Sequence, residues 1–356
     1  MKQAQRFVLI TSIMLLLVMI IGCSFQSEPK KALLAATLKT MDAKSYKMLM
    51  TIGLDKWDLP PNTEVKSQGL STALIAGILK DATIKADVLY SKEPSLRTDI
   101  KMDVTLPSLL DTKLSVPMIM TDKKLYIQLP SIPLVGLPES AVGKYIVVDL
   151  EEQAKQEGRE AASFNAAEQL KLVQELSGAA LKHFDEKTYF KEVKAADASL
   201  PEGLKTDQIV HFSINEGNYS GTVETVVNKV LPEMLELVLS NDAYLTALQI
   251  KKADAEKWKS ELETDKTGVL NILQNDVKVH AFDLTGAIKG GYLVYQAGKF
   301  DVDVNDKQSG LTTGMGFTFA SEYVDFGKEI KFEQDIPADA LTPEQFKELI
   351  GAATKL

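Results

Sequence analysis

The fold class is decided by residues 277–323, VKVHAFDLTGAIKGGYLVYQAGKFDVDVNDKQSGLTTGMGFTFASEY. Apolar and polar residues alternate within this stretch, and this period of two predicts β-strands at Val277 to Ile288, Tyr292 to Val304 and Thr312 to Tyr323. The loop Asp306 to Gly310 joins the last two strands as a hairpin. Connections this short allow only antiparallel neighbours, because parallel pairs need long crossovers.

The same alternation recurs in the first half of the chain, and helical patterns flank it. Further strands are predicted at 46–52, 84–90, 100–104, 116–120, 125–129, 145–150 and 329–333. Helices are predicted at 31–43, 70–79, 164–184, 221–239 and 243–262, with a terminal helix starting at Thr342-Pro343-Glu344. Helices segregated from antiparallel strands indicate an α+β fold.

A five-residue pattern suggests two related halves. Asp42-Ala43-Lys44-Ser45-Tyr46 follows the first helix, and Asp185-Glu186-Lys187-Thr188-Tyr189 follows the helix 164–184. The charged stretch 151–160 lies between them, so residues 32–150 and 151–356 are predicted to be an N-terminal and a C-terminal α+β half. Two questions stay open. The match is either a coincidence or a true pseudo-repeat, and the two halves form either one shared sheet or two lobes.

The N-terminus has the layout of a secretory signal peptide. Lys2 and Arg6 precede the apolar run 7–21, and Gly22 precedes Cys23, the only cysteine of the chain. The ending at residues 20–23 resembles the lipobox of bacterial lipoproteins. The alternative is an uncleaved anchor, but about fifteen apolar residues are fewer than the roughly twenty that a membrane span needs.

The lipobox resemblance implies that residues 1–22 are removed by cleavage between Gly22 and Cys23. It also implies that the thiol of Cys23 receives a diacylglycerol before this cut, and palmitate label is expected there. Two acyl chains give stable anchoring, so the protein is predicted at the cell membrane, facing the extracytoplasmic side. Residues 23–31 become a lipidated tether. Acylation uses the one thiol, which excludes disulfides, thiol catalysis and cysteine-based zinc sites.

The net charge limits the classes of partner. The chain has a formal charge of −9, and removing Lys2 and Arg6 with the signal peptide leaves −9 − 2 = −11. A surface this acidic argues against nucleic acid and against polybasic attachment to anionic lipid headgroups.

Two short motifs resemble catalytic or metal-binding elements but are incomplete. Lys266-Thr267-Gly268 resembles one element of the penicillin-recognising serine enzymes, yet the only Ser-x-x-Lys, at residues 27–30, lies in the tether. Asp301, Asp303 and Asn305 have the spacing of three calcium-loop ligands. Glycine and glutamate are missing at the positions such a loop requires, so strand alternation explains the two aspartates better.

The three histidines do not form a local metal motif. His183, His211 and His280 lie in three different predicted elements and lack paired ligands at short spacing. A serine-histidine-acid triad stays a minor alternative, without a Gly-x-Ser-x-Gly elbow to support it. We therefore expect no enzyme activity, no catalytic residue, no metal site and no cofactor.

Several further patterns resemble the LolA/LppX-like superfamily and related bacterial envelope lipoproteins. They are the leading helix that ends before Lys44-Ser45-Tyr46, the strand patterns at 122–127 and 143–150, and the ending at 323–327 and 336–340. The resemblance implies a curved, half-barrel-like antiparallel sheet with helices covering one face. In the characterised members, lipid acyl chains fill that space.

The expected function is binding at a membrane surface. The segments 70–79 and 132–137 are richer in apolar residues than inserts and loops require, as is the helix 226–239. They form either a solid core or the lining of an apolar cavity between sheet and helices. The chain is thus expected to be a non-enzymatic lipoprotein that binds a lipid or another hydrophobic ligand. The alternative is a scaffold or interaction lipoprotein that binds an envelope protein and no small ligand.

Overall fold

The computed structural model describes residues 28–58, 77, 79–109, 112–131, 137–156, 166–248, 250–306 and 311–353. The strands in these ranges are β1 (Ser45–Asp58), β2 (Thr83–Ser91), β3 (Arg97–Leu106), β4 (Thr112–Thr121), β5 (Lys124–Gln128), β6 (Tyr145–Asp149), β7 (Phe190–Glu192), β8 (Gln208–Ile214), β9 (Val277–Lys289), β10 (Tyr292–Asp306) and β11 (Leu311–Val324). The helices are α1 (Pro29–Met41), α2 (Leu150–Gln156), α3 (Ala166–Leu181), α4 (Glu186–Tyr189), α5 (Tyr219–Thr225), α6 (Leu231–Leu239), α7 (Asp242–Ala247), α8 (Lys252–Thr264), α9 (Lys266–Asn275) and α10 (Pro343–Ala353).

The strands form one sheet in the hydrogen-bonded order β6-β5-β4-β3-β2-β1-β11-β10-β9-β8-β7. The predicted α+β class, with a curved antiparallel sheet that does not close, is confirmed. Backbone contacts divide the described residues into two compact units, each built from segments far apart in the sequence. The first unit holds residues 28–42 and 166–294, and the second holds 43–156 and 295–353. The sequence halves 32–150 and 151–356 stay a prediction.

The two copies of the five-residue pattern have different local structures. Ser45 and Tyr46 open the long strand β1, whereas Thr188 and Tyr189 end the single helical turn α4. Asp185 caps this turn, because its carboxylate accepts a hydrogen bond of 2.9 Å from the backbone N–H of Thr188.

Helix α1 packs against the sheet of the first unit. Leu33 is 2% exposed and lies against Gly286 of β9, where a side chain larger than hydrogen would collide with it. In the same unit, rings of α4, β7, β8, β9 and the segment before α4 pack at centroid distances of 5.0 to 6.1 Å, mostly edge-on or tilted. The members of this buried cluster are Phe184, Tyr189, Phe190, Phe212 and Phe282.

The helices of the first unit differ from the prediction in two places. The predicted helix 243–262 is instead two helices, α7 and α8, and α9 follows as a third. Asn241 caps α7, and Asp265 separates α8 from α9 by accepting a hydrogen bond from the N–H of Gly268. Between α5 and α6 the chain makes a π-helical turn, Val226–Val230, just before Pro232, which has no N–H to donate.

The segment after β11 corrects one predicted strand. Residues 329–333 form no strand, because both sides of β11 are already paired, with β1 and β10. Side chains hold this segment instead: the hydroxyl of Ser45 donates to the carbonyl of Lys328, and Arg97 donates to the carbonyl of Gln334. The Arg97 guanidinium also lies 4.2 Å from the ring centroid of Phe332.

Candidate functional site

In the second unit, one face of the sheet has no charged side chain between the row of Tyr46 and the row of Trp57, among the residues that the structure describes. Residues directly opposite each other in antiparallel strands point to the same face, so the register of the strands defines which residues belong to it. One row across five strands contains Ser321, Met50, Ala86, Met102 and Val116. The parallel rows contain Met48, Ile52, Leu54, Ile84, Val88, Ile100, Val104, Leu114, Met118, Met120, Leu125, Ile127, Ile146, Val148, Phe300, Phe317 and Phe319. We call this surface the uncharged face.

The opposite face of the same strands is rich in charge. Asp87 of β2 lies opposite Lys101 of β3, and Lys85 lies opposite Asp103. Such cross-strand pairs of opposite charge are typical of a surface that faces water. Across β2 and β3 the alternation therefore separates the two faces by polarity. On β4 and β5 the second face instead carries the buried side chains of Ile119 and Tyr126.

The uncharged face is only half-buried along β1. Met48, Met50, Ile52 and Leu54 are all intermediate in exposure. The described helices of this unit, α2 and α10, pack against β6. An extensive apolar surface with partial exposure is typical of a ligand-binding or interaction site rather than of a closed core.

Aromatic side chains lie at one end of the uncharged face. The ring of Tyr46 stacks on Tyr90 at 4.7 Å and meets Tyr323 edge-on at 5.6 Å. Burial raises the pKa of Tyr323 to about 12, and burial also raises the pKa of Tyr46 well above its usual value. These phenols therefore stay neutral, and Tyr323 accepts a hydrogen bond of 3.1 Å from the Gln296 amide.

Trp57 and Met315 lie opposite each other toward the other end of the face, beside Val302 of β10. The indole Nε1–H of Trp57 is buried, and the described residues offer it no acceptor. A buried donor without an acceptor is costly, so this N–H is suited to a polar group of a bound molecule.

The predicted lipidation and cleavage residues, Cys23 and Gly22, lie outside the described residues, as does the whole predicted signal peptide 1–22. Most of the apolar segments 70–79 and 132–137 lies outside them too. Among the described helices, none is both long and apolar enough to cross a bilayer.

The two incomplete motifs have structural roles in the described chain. Lys266-Thr267-Gly268 forms the first turn of α9. Asp301 and Asp303 alternate with buried residues along β10, as predicted, and both carboxylates form ion pairs with Lys56. The hydrogen bond from Lys56 to Asp303 raises the pKa of the lysine, so the ammonium stays charged between the two acids.

The three histidines lie in separate places. His183 follows α3, and its Nε2 lies 2.8 Å from a carboxylate oxygen of Glu233 in α6. His211 contacts the Thr285 hydroxyl at 3.1 Å and the Asp283 carboxylate at 3.4 Å across the β8–β9 pair. His280 is exposed on β9. His183 and His211 therefore belong to two different local contacts.

Glu233 joins α6 to the end of α3. Burial alone would raise the pKa of its carboxyl, but hydrogen bonds from Lys182 and His183 outweigh burial and lower it. The carboxylate is therefore ionised and paired, as in a structural ion pair between helices.

Neither a scan against protein-family models nor a search of curated proteins gives a match to this chain. The function therefore has to be inferred from the uncharged face and the sequence. Sequence reasoning missed this site, although its signal was present. Assigning each predicted strand residue to one of two faces by its position would have placed the apolar side chains together.

Proposed function

We propose that the protein is a non-enzymatic lipoprotein, acylated at Cys23 and held on the extracytoplasmic side of the cell membrane, that binds a lipid or another hydrophobic ligand. The uncharged face is the proposed binding surface. The observation that supports ligand binding most directly is that this surface is apolar, half-buried along β1 and free of charge between the rows of Tyr46 and Trp57. The lipobox pattern supports the anchor.

The physical argument concerns desolvation. An acyl chain gains about 0.8 kcal/mol for each methylene that it removes from water. A charged group on the same surface would lose its hydration under the ligand without gaining a partner. A surface that excludes charge and stays partly exposed is therefore suited to an apolar guest, and Trp57 offers one hydrogen bond for a polar end.

A matched pair of substitutions tests the proposal. Met50→Glu places a carboxylate on the uncharged face, whereas Thr51→Glu places it on the exposed, charged face one residue further along β1. Thr51 lies opposite Lys85, so its variant gains an oppositely charged neighbour. Binding of a fluorescent fatty acid to residues 24–356, which include every described residue, is measured for both variants.

We expect Met50→Glu to weaken binding at least about tenfold and Thr51→Glu to leave it unchanged, because burying an unpaired carboxylate is costly. Thermal unfolding of both variants checks that they fold. Equal affinity of the two variants, or no uptake of fatty acid by the unchanged chain, would refute the proposed ligand binding.

The packing of the first unit favours a second candidate function, an interaction scaffold that binds an envelope protein. Its inward residues are almost wholly buried, with Val210 and Val227 at 0% exposure. A solid core of this kind leaves the outer surface as the means of recognition. Cross-linking in intact cells, followed by purification, distinguishes the two candidates: a scaffold yields one reproducible protein partner and no co-purified lipid.

A further inference from the structure

Methionines are concentrated on the uncharged face. The sequence has eleven methionines, and the face contains Met48, Met50, Met102, Met118, Met120 and Met315. All six are half-buried, so their sulfur-bearing side chains are partly accessible. Met234, in α6 of the first unit, is instead only 4% exposed.

The thioether of methionine reacts with hydroperoxides. The sulfur lone pair attacks one peroxide oxygen, the O–O bond breaks, and that oxygen stays on sulfur as a sulfoxide. The other oxygen leaves as water or as an alcohol. Sulfur loses two electrons and the peroxide gains them. The product is a polar side chain in place of a flexible apolar one.

We propose that these six methionines are sites of reversible oxidation by hydroperoxides, and that their oxidation releases the hydrophobic ligand. The release rests on the proposed function, whereas the modification does not. A dithiol reductant restores the thioether: the sulfoxide oxygen leaves as water and the two thiols become a disulfide. The chain has one cysteine, Cys23, so the dithiol comes from another molecule.

The register explains why few oxidations are enough. Ala86 lies between Met50 and Met102 in one row across β1, β2 and β3, and it is only 4% exposed. Met48 and Met118 belong to the next row, with Val88 and Ile100 between them. A sulfoxide at Met102 or Met118 introduces a strong dipole beneath the ligand. The residues on either side, Ala86 and Val116 or Ile100 and Ile127, have no side-chain hydrogen to donate.

The modification is tested on the full chain in cells. Cells that express it are treated with hydrogen peroxide, and peptide mass spectrometry follows the oxidation of each methionine with time. We expect the six face methionines to gain oxygen well before Met234. In full chain that is extracted and unfolded in urea before the peroxide treatment, all seven should oxidise at similar rates. Oxidation of Met234 at the same rate as the six in the folded chain would overturn the proposal.

The effect on the ligand is tested with a variant in which all six are replaced by leucine, a change that nearly conserves volume and removes sulfur. Peroxide should weaken fatty-acid binding to the unchanged chain at least about tenfold, because each desolvated polar group without a partner costs that much or more. Peroxide should leave the affinity of the leucine variant at that variant's own untreated value. Equal sensitivity of both chains overturns the proposed release.

The two proposals fail in different ways. If the untreated chain takes up no fatty acid, the proposed ligand binding is wrong, and the order of oxidation still decides the modification. If the untreated chain binds but Met234 oxidises as fast as the face methionines, the ligand site stands and the oxidation sites do not.

Discussion

Gly286 lies beneath α1, and one added methyl group there tests how that helix is held on the sheet. In Gly286→Ala the new Cβ would lie 2.2 Å from Cδ1 of Leu33 and 3.1 Å from Cδ1 of Leu293. Carbon atoms in good contact are about 3.5–4.0 Å apart. Leu33 and Leu293 are only 2% and 1% exposed, so neither side chain has open space to move into.

The expected magnitude follows from two opposing effects. Overpacking of a filled core costs about 1–3 kcal/mol. Replacing glycine inside a strand offsets about 0.5–1 kcal/mol of this, because alanine loses less conformational entropy on folding. The free energy of unfolding should therefore fall by about 1–2 kcal/mol. The assay is urea denaturation followed by circular dichroism.

A matched control and a double variant complete the test. Gly178→Ala in α3 adds its methyl group to open space and should raise stability by up to about 1 kcal/mol. Leu33→Ala alone should cost about 2–5 kcal/mol. The double variant Leu33→Ala/Gly286→Ala should lose clearly less stability than the two single variants added together, because Leu33→Ala removes the Cδ1 atom that the new methyl group would strike. Additive effects, or an unchanged stability of Gly286→Ala, would refute this view of α1.

Three further predictions concern other contacts. Arg97→Lys should make the segment around Phe332 cleave faster in limited proteolysis, because lysine lacks the planar guanidinium; an unchanged cleavage rate would show that Arg97 does not hold this segment. Glu233 has a lowered pKa, so its stabilising effect is present above the unfolded pKa near 4.5 and is lost as pH falls through the folded value. Glu233→Gln, which cannot form the ion pair with Lys182, should therefore lower the urea midpoint at neutral pH and reduce its dependence on acid pH; an unaltered acid dependence rules this out. Cys23→Ala should abolish incorporation of radiolabelled palmitate and block processing, and label retained in that variant would disprove lipidation.

The strands of the second unit could be predicted closely from the sequence, and the helices of the first unit less well. Alternation in 84–90 and 100–104 marked β2 and β3, since a half-buried strand imposes a period of two on its own residues. The break between α7 and α8 was missed because both segments have helical periodicity. The end of α8 depends on Asp265, whose carboxylate caps α9.

The predicted strand at 329–333 failed for a reason that lies elsewhere in the chain. Its composition suits a strand, but a strand needs a partner with free backbone donors and acceptors. The long pairing of β1 with β11 removes that possibility. Non-local pairing of this kind leaves no local signal.

The sequence by itself determined that the second unit has a charged face and an uncharged one, because side chains alternate along each strand whatever its neighbours are. Only the tertiary structure decided which strands lie side by side, since every backbone offers the same hydrogen-bonding groups. Pairing β1 with β11 places Met50 opposite Ser321 and Leu54 opposite Phe317, although the members of each pair are far apart in the sequence. That pairing joins short apolar stripes into one continuous surface, the proposed binding surface.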